Sequence, residues 1–403
     1  MPALFAPPGH EQPGANAPAT RDDALTVGLH PGASQFHAQP WDALIGPDAG
    51  FYTSHRWIRS LELVHGAQPV LAAAAEGRLS AVLPTWTSTG SDTTGLFSLP
   101  EMTRGLIAAP SRQVLWLGPR RATAATITCE SGAARTRILA ALMETARGFA
   151  ADQHLAGAVW PYLSGAQAQE AAACHPLAQA VLHTADTEVI VPRDGMRGIE
   201  NAARSKDRTQ WRRERSLFAR SGSVEWTPLT AEICTRIAPL LAATQDKYGA
   251  AGGTSLMLRT LTAQLASGVA RRAVVALART RDDDTVRAAA VFYRHGTTLY
   301  GRYWGTDGKA PPYSYFTLTF YEAVDWAARH GLRRLHLSVP ATLAKRSRGA
   351  QTAPLALVYL PTAPGARIDA RLLRQHNRRT AQEWNPGADS AAWTRWWTPR
   401  GGM

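Results

Sequence analysis

The chain has 403 residues, 45 % of them hydrophobic, which is enough for two or three domains that each bury a core. No window approaches about 18 uninterrupted apolar residues, and the N-terminus lacks a basic stretch followed by a long apolar one, so neither a membrane span nor a signal peptide is expected. Of the net charge of +13, residues 193–220 carry +5 and residues 345–403 carry +7, a clustering that fits either a solvated surface or a face for a polyanion. Cys129, Cys174 and Cys234 form no CxxC pair, which excludes a disulfide framework and a zinc ribbon; no metal site is expected, and a reducing cytoplasm fits best.

Residues 1–24, rich in Pro, Ala and Gly, read as a loose tail. Residues 51–66 place Trp57, Leu61 and Val64 on one helical face, and VLAAAAEGRLSAVLPTW reads as a hairpin turning at Glu76–Gly77. A helix over 131–150, a buried strand in LAGAVWPYL, an Ala-rich helix near 165–182 and a strand TEVIVP complete a first unit, 25–192. The second unit, 193–362, opens with a basic helix ended by Gly222, in which Arg204, Arg208, Arg212 and Arg215 form one stripe with Trp211, Leu217 and Phe218 behind it. Helices over 230–245 and 254–268 precede three strands, RAVVALART, TVRAAAVFYRH and TTLYGRYWG, whose short turns at Asp282–Asp284 and Gly296 make an antiparallel meander. An aromatic-rich helix ends at His330–Gly331 and the strand LRRLHLSV follows. Residues 363–403 form a basic, Trp-rich end segment.

The order helix, antiparallel strands, central helix, strand resembles the core of the GNAT superfamily of N-acyltransferases. Residues 204–222 and 286–360 resemble its FemAB-like branch more narrowly, through the basic helix, the paired strands AAAVFYRH and TLYGRYWG, and a late Lys345-x-x-Arg348-Gly349. The resemblance implies an α/β (α+β) fold of tandem GNAT-like domains, each a mixed, mostly antiparallel sheet flanked by helices. It also implies transfer of an aminoacyl or acyl group to an amine, with Lys345 and Arg348 at donor phosphates or at the oxyanion. A coenzyme A-binding GNAT carries Q/R-x-x-G-x-G/A between the central strand and helix, where backbone N–H groups grip a pyrophosphate. Here that stretch reads GTDGKAPPYS, which lacks the spacing.

Amide formation needs an amine held near a carbonyl, removal of its proton, and donors for the oxyanion. The candidates cluster at the end of the central strand. Asp307 would orient the amine or simply form a turn; strand alternation puts Tyr300, Arg302 and Trp304 on one face, Gly301 and Tyr303 on the other. A sheet arginine among aromatics is costly to bury without an anion, so Arg302 is a substrate or phosphate contact or one half of a structural ion pair. His336 and Ser338 point the same way on the last strand and would line the site, or His336 is a satisfied core residue; Glu322 and Asp325, one turn apart on the helix, distinguish nothing. Motifs of serine hydrolases, zinc peptidases, P-loop NTPases and condensation enzymes are absent from the sequence.

The catalytic candidates are therefore Asp307, Lys345 and Tyr300, with Arg302, Trp304, His336, Ser338 and Arg348 at the substrate. Arg204, Arg208, Arg212, Arg215 and Trp211 are candidates for contact with tRNA. Trp384, Trp393, Trp396 and Trp397 with Arg395 and Arg400 either stack on unpaired bases or pin the C-terminus to the core. The expected activity is transfer from aminoacyl-tRNA to a small amine or peptide, with no cofactor. The alternatives are an acyl-CoA or acyl-carrier-protein donor on the same fold, or a non-catalytic nucleic-acid-binding protein.

Overall fold

A computed structural model describes residues 25–46, 50–87, 94–107, 113–249, 252–339 and 342–384, with Trp393 and Trp396; the expected tail, Arg395, Trp397 and Arg400 lie outside them. In chain order the strands are β1 Leu25–His30, β2 Val70–Ala75, β3 Arg78–Thr87, β4 Leu115–Leu117, β5 Thr128–Cys129, β6 Gly157–Ser164 and β7 Gln179–Ile190. They continue with β8 Gly222–Pro228, β9 Ala273–Thr280, β10 Val286–His295, β11 Thr298–Thr306, β12 Arg334–His336 and β13 Gln351–Pro361. All belong to one hydrogen-bonded sheet in the order β1-β2-β3-β4-β6-β13-β7-β12-β11-β10-β9-β8, with β5 beside β3. Two neighbouring pairs, β4 with β6 and β11 with β12, are parallel, and the others are antiparallel.

The meander shows why strands form here. Along β9 and β10, Val275, Leu277, Ala289, Val291 and Tyr293 enter one apolar cluster. The intervening Val274, Ala276, Ala278, Ala290 and Phe292 enter another. A strand buried on both faces reads as a continuous apolar run, and the small alanines let helices approach both sides. Helices Ala231–Lys247 and Gly253–Ala266 cover the first face; Ser205–Ser221 and the central helix, Ser314 to Arg329 with a π-helical turn at Thr317–Tyr321, cover the second. At Gly305 a Cβ would meet Leu240 O at 2.3 Å, so only glycine lets the helix Ala231–Lys247 lie this close to β11. The expected turns form with their required left-handed backbones, at Glu76 and Gly77, at Asp284 and at Gly296.

Two local expectations change. The Ala-rich helix ends at Ala173, not near 182, and β7 begins at Gln179. Pro176 cannot continue a helix, and the following residues find ladder partners in β13, which outweighs their alanine content. The segment 363–384 contains a helix, Ala370–Trp384, whose Asn377 accepts from Leu182 N–H (2.9 Å) and donates to Ala180 O (3.1 Å). Trp393, whose Nε1 donates to Thr352 O (3.1 Å), and Trp396 are both buried in the core of the first half, so these two pin the chain end rather than offer faces to bases. Among the described residues no helix is long and apolar enough to cross a membrane.

One buried ion pair ties the basic helix to the late K-x-x-R-G segment. Arg348 donates through Nη2 to both carboxylate oxygens of Glu214 (2.8 Å each) and through Nε to Tyr321 Oη (3.0 Å), and its guanidinium lies over the Phe316 ring. Burial pushes the Glu214 carboxyl up, but hydrogen bonds from Arg348, Tyr321 and Gln210 outweigh it and hold the group below its usual range. Removing one partner strands a buried charge, at about 3–5 kcal/mol. Arg348→Met should lower unfolding free energy by that amount in urea titrations, and Glu214→Leu/Arg348→Met should recover more than half of the loss. A single variant as stable as the parent would refute the pair's role.

Candidate active site where two parallel strands part

β11 and β12 are hydrogen-bonded only from Thr298–Tyr300 to Arg334–His336. Beyond His336 the chain stays with β7, Leu337 N–H donating to Thr187 O (2.8 Å), while β11 runs on beside β10 to Thr306. The strands part and leave a notch, whose walls include Tyr52 and residues 121–123 from the first half of the chain.

Tyr300 and His336 are paired across the last rung, their rings 5.1 Å apart. His336 is 6 % exposed; its Nε2 lies 2.8 Å from Asp186 Oδ2, outside hydrogen-bond alignment, and its Nδ1 has no partner among the described residues. Ser338 follows with φ +63°, a left-handed backbone that a serine adopts at a cost. Three contacts fix it: its Oγ is 2.6 Å from Thr123 Oγ1, and its carbonyl accepts from Thr187 Oγ1 and from Lys345 Nζ (3.2 Å). Lys345 also donates to Leu337 O and is 4 % exposed; burial pushes its ammonium down to about 8, against the pull of Asp186.

Arg302 departs from simple alternation. The β10–β11 register shifts so that Val291 pairs with Tyr303 and Phe292 with Gly301, which leaves Arg302 as the extra residue of a β-bulge. Consequently Tyr300 and Tyr303 share a face, and Trp304, expected beside Tyr300, packs on the opposite face against Tyr315. The re-aimed Arg302 donates to Arg121 O (2.6 Å) and stands 5.1–5.6 Å from the rings of Tyr52, Trp57 and Tyr303. Its Nε is unpartnered, and among the described residues it has no carboxylate. Burial and the charges of Arg120, Arg121 and Arg259 push His65 down to about 4. Arg120 lies over Trp86, and with His65 and Gln68 it lines a cavity of about 130 Å³. Gln68 donates to Gly118 O (3.2 Å), leaving its buried Oε1 unpartnered. Arg302 at the notch and Arg120 and Arg121 on the adjoining segment thus have no ion-pair partner among the described residues, an arrangement that attracts an anion.

Other candidates are occupied or elsewhere. Asp307 is exposed, roughly 20 Å along the strand from Tyr300, and its carboxylate pairs with Arg287 (3.2 Å) and accepts from Lys309 N–H (2.8 Å). That is turn chemistry, not amine orientation. The same loop offers little to a pyrophosphate: Gly308 N–H goes to Thr306 Oγ1 and Ser314 N–H to Pro311 O, while Pro311 and Pro312 have no N–H at all. Arg348 is consumed by Glu214. In the basic stripe, Arg212 pairs with Glu200 (2.9 Å), Arg215 with Glu200 (3.3 Å) and Asp325 (3.2 Å), and Arg208 donates to Glu200 O; Arg204 is exposed. Trp211 is 3 % exposed beneath that helix and has no free face for a base. Asp186, Tyr52, Thr123, Arg120, Arg121 and His65 escaped the sequence reading; only the adjacent Arg120–Arg121 pair was a visible signal.

Because the folded-state pKa of Lys345 lies below its ordinary value of 10.5, the unfolded chain binds more protons between about 8 and 10.5. Stability should therefore rise with pH across that window, by about 3 kcal/mol in full. Lys345→Gln should abolish this part of the slope in denaturation profiles, and identical slopes in the two proteins would contradict a buried, desolvated lysine.

The FemAB-like family, described as peptidoglycan biosynthesis/recognition, matches residues 119–366. No curated protein matches the chain. Among solved structures, FemX aligns over 82 % of this chain and 97 % of its own at 11 % identity and a TM-score of 0.55. A conserved protein of unknown function from Bacteroides thetaiotaomicron VPI-5482 aligns over 83 % and 100 % at 10 % identity and 0.52. These two likenesses are of fold. The family match spans more than half of the sequence and includes Tyr300, Arg302, His336 and Ser338 of the notch, the basic helix and the K-x-x-R-G segment: the chain belongs to the FemAB-like family of acyltransferases.

Proposed function

We propose that the chain forms an amide bond at this notch by moving an aminoacyl group from aminoacyl-tRNA to a small amine or peptide, a reaction of the cytoplasm. In this reading residues 25–192 supply the cationic wall and residues 193–362 the reacting groups. His336, with Asp186 behind it, takes a proton as the amine nitrogen attacks the ester carbonyl. Tyr300 and Arg302 lie where donors would face the developing oxyanion. The new C–N bond forms, the C–O bond to the ribose breaks, and the proton passes to the departing hydroxyl. Lys345 and Ser338 hold the parted strands in place.

The observation that carries the donor assignment is the set of cations without ion-pair partners among the described residues, Arg302 at the parting strands and Arg120 and Arg121 on the segment it touches. An anionic donor end fits them, and the occupied, proline-interrupted loop at 306–314 favours it over coenzyme A, the alternative donor on the same fold. A charged tRNA pool should bind in preference to uncharged tRNA, undisturbed by excess acetyl-CoA. Arg120→Glu/Arg121→Glu should weaken binding and flatten its salt dependence by about 0.7 in log–log slope per lost phosphate contact. Equal affinity for charged and uncharged tRNA, together with tight displacement by acetyl-CoA, would overturn the donor assignment.

A further inference from the structure

A second cavity, of about 560 Å³, opens at the outer edge of the sheet where β8 ends and β9 begins, two strands from β11. Its volume lies within the range of small-molecule sites, about 300–1,000 Å³. Leu265, from the helix-covered first face, and Val274 and Trp226, from the second, come together in its wall, with Trp326 beside them. Trp326 is clamped between Trp226 (ring centroids 5.2 Å, 26°) and His330 (3.8 Å, 18°), so this wall is rigid.

Arg271 and Arg294 are the charged groups lining this cavity. Both are exposed, and neither has an ion pair or hydrogen bond from its side chain among the described residues. Their neighbours are engaged: Arg272 meets His295 (2.8 Å), Arg329 donates to Asp325 O (3.2 Å), and Arg334 is 3.7 Å from Glu188. Arg271 and Arg294 line a hollow whose surface is half polar and half apolar, and neither has an anion to meet its charge among the described residues. An uncharged ligand would leave them unbalanced, and a bare phosphate would leave the aromatic wall in water.

We propose that this cavity binds an amphipathic anion, an apolar chain or ring carrying a single phosphate or carboxylate head, at a site separate from the notch. The head would lie between Arg271 and Arg294 and the apolar body against Trp226 and Trp326. Charge-assisted hydrogen bonds and apolar burial contribute comparably here, so both halves of the ligand are required.

Calorimetric titration of the full chain tests this with octyl phosphate below its micelle concentration, against octanol and inorganic phosphate. Octyl phosphate should fill one site, with each half-ligand about tenfold weaker or more. Arg271→Ala/Arg294→Ala should lose about tenfold or more, and Arg271→Lys/Arg294→Lys should keep most of the affinity. These side chains are exposed, so the variants should match the parent in circular dichroism. Equal binding by parent and alanine variant, or no binding by the parent, would overturn the site. Binding to anionic vesicles without binding of free octyl phosphate would replace the cavity by a flat, membrane-facing surface and equally overturn it.

Discussion

The architecture depends on β7. Its twelve residues are hydrogen-bonded to β13 along most of their length, and at Glu188–Ile190 they also take β12 on the other side. This strand lets one sheet run through both halves of the chain, because β13, the last strand in sequence, enters between β6 and β7. Asp186 is carried to His336 by the same pairing, and Thr187 holds both Leu337 and Ser338 beside it.

The second constraint is electrostatic. A chain with a net charge of +13 must decide which cations to neutralise internally. In the helix Ser205–Ser221, the most obvious basic feature, Glu200 and Asp325 take Arg212 and Arg215, while the helix's own Glu214 is taken by Arg348 from outside it. A group of cations without ion pairs among the described residues lies at the junction of the halves, where Arg302 reaches Arg121 O and Arg120 covers Trp86. Total charge in a segment is thus a poor guide to free charge, because pairs such as Arg215–Asp325 and Arg348–Glu214 form over long sequence separations.

What could be read from the sequence was local. The Glu76–Gly77, Asp282–Asp284 and Gly296 turns and the basic helix follow from side-chain chemistry within a few residues, and the family resemblance rested on such segments. The family assignment and the fold class follow from them, and Tyr300, Arg302, His336, Ser338 and Lys345 do come together around the notch. The bulge at Arg302 was not legible, because it exists only in the register with β10; strict alternation therefore put Trp304 on the wrong face. Glu214 as the partner of Arg348 was hidden by a sequence separation of 134 residues. Asp307 fitted a turn role better than a catalytic one in sequence, and its carboxylate is taken up in the turn by Arg287 and Lys309 N–H.

The central claim is that chemistry takes place beside the last rung between β11 and β12. A crystal structure with a non-hydrolysable 3′-aminoacylamido-adenosine tests it directly. The account places the acyl carbonyl within hydrogen-bond reach of Tyr300 or Arg302, with its carbon facing His336. Density for the acyl group at the 306–314 loop, with the notch empty, would contradict it.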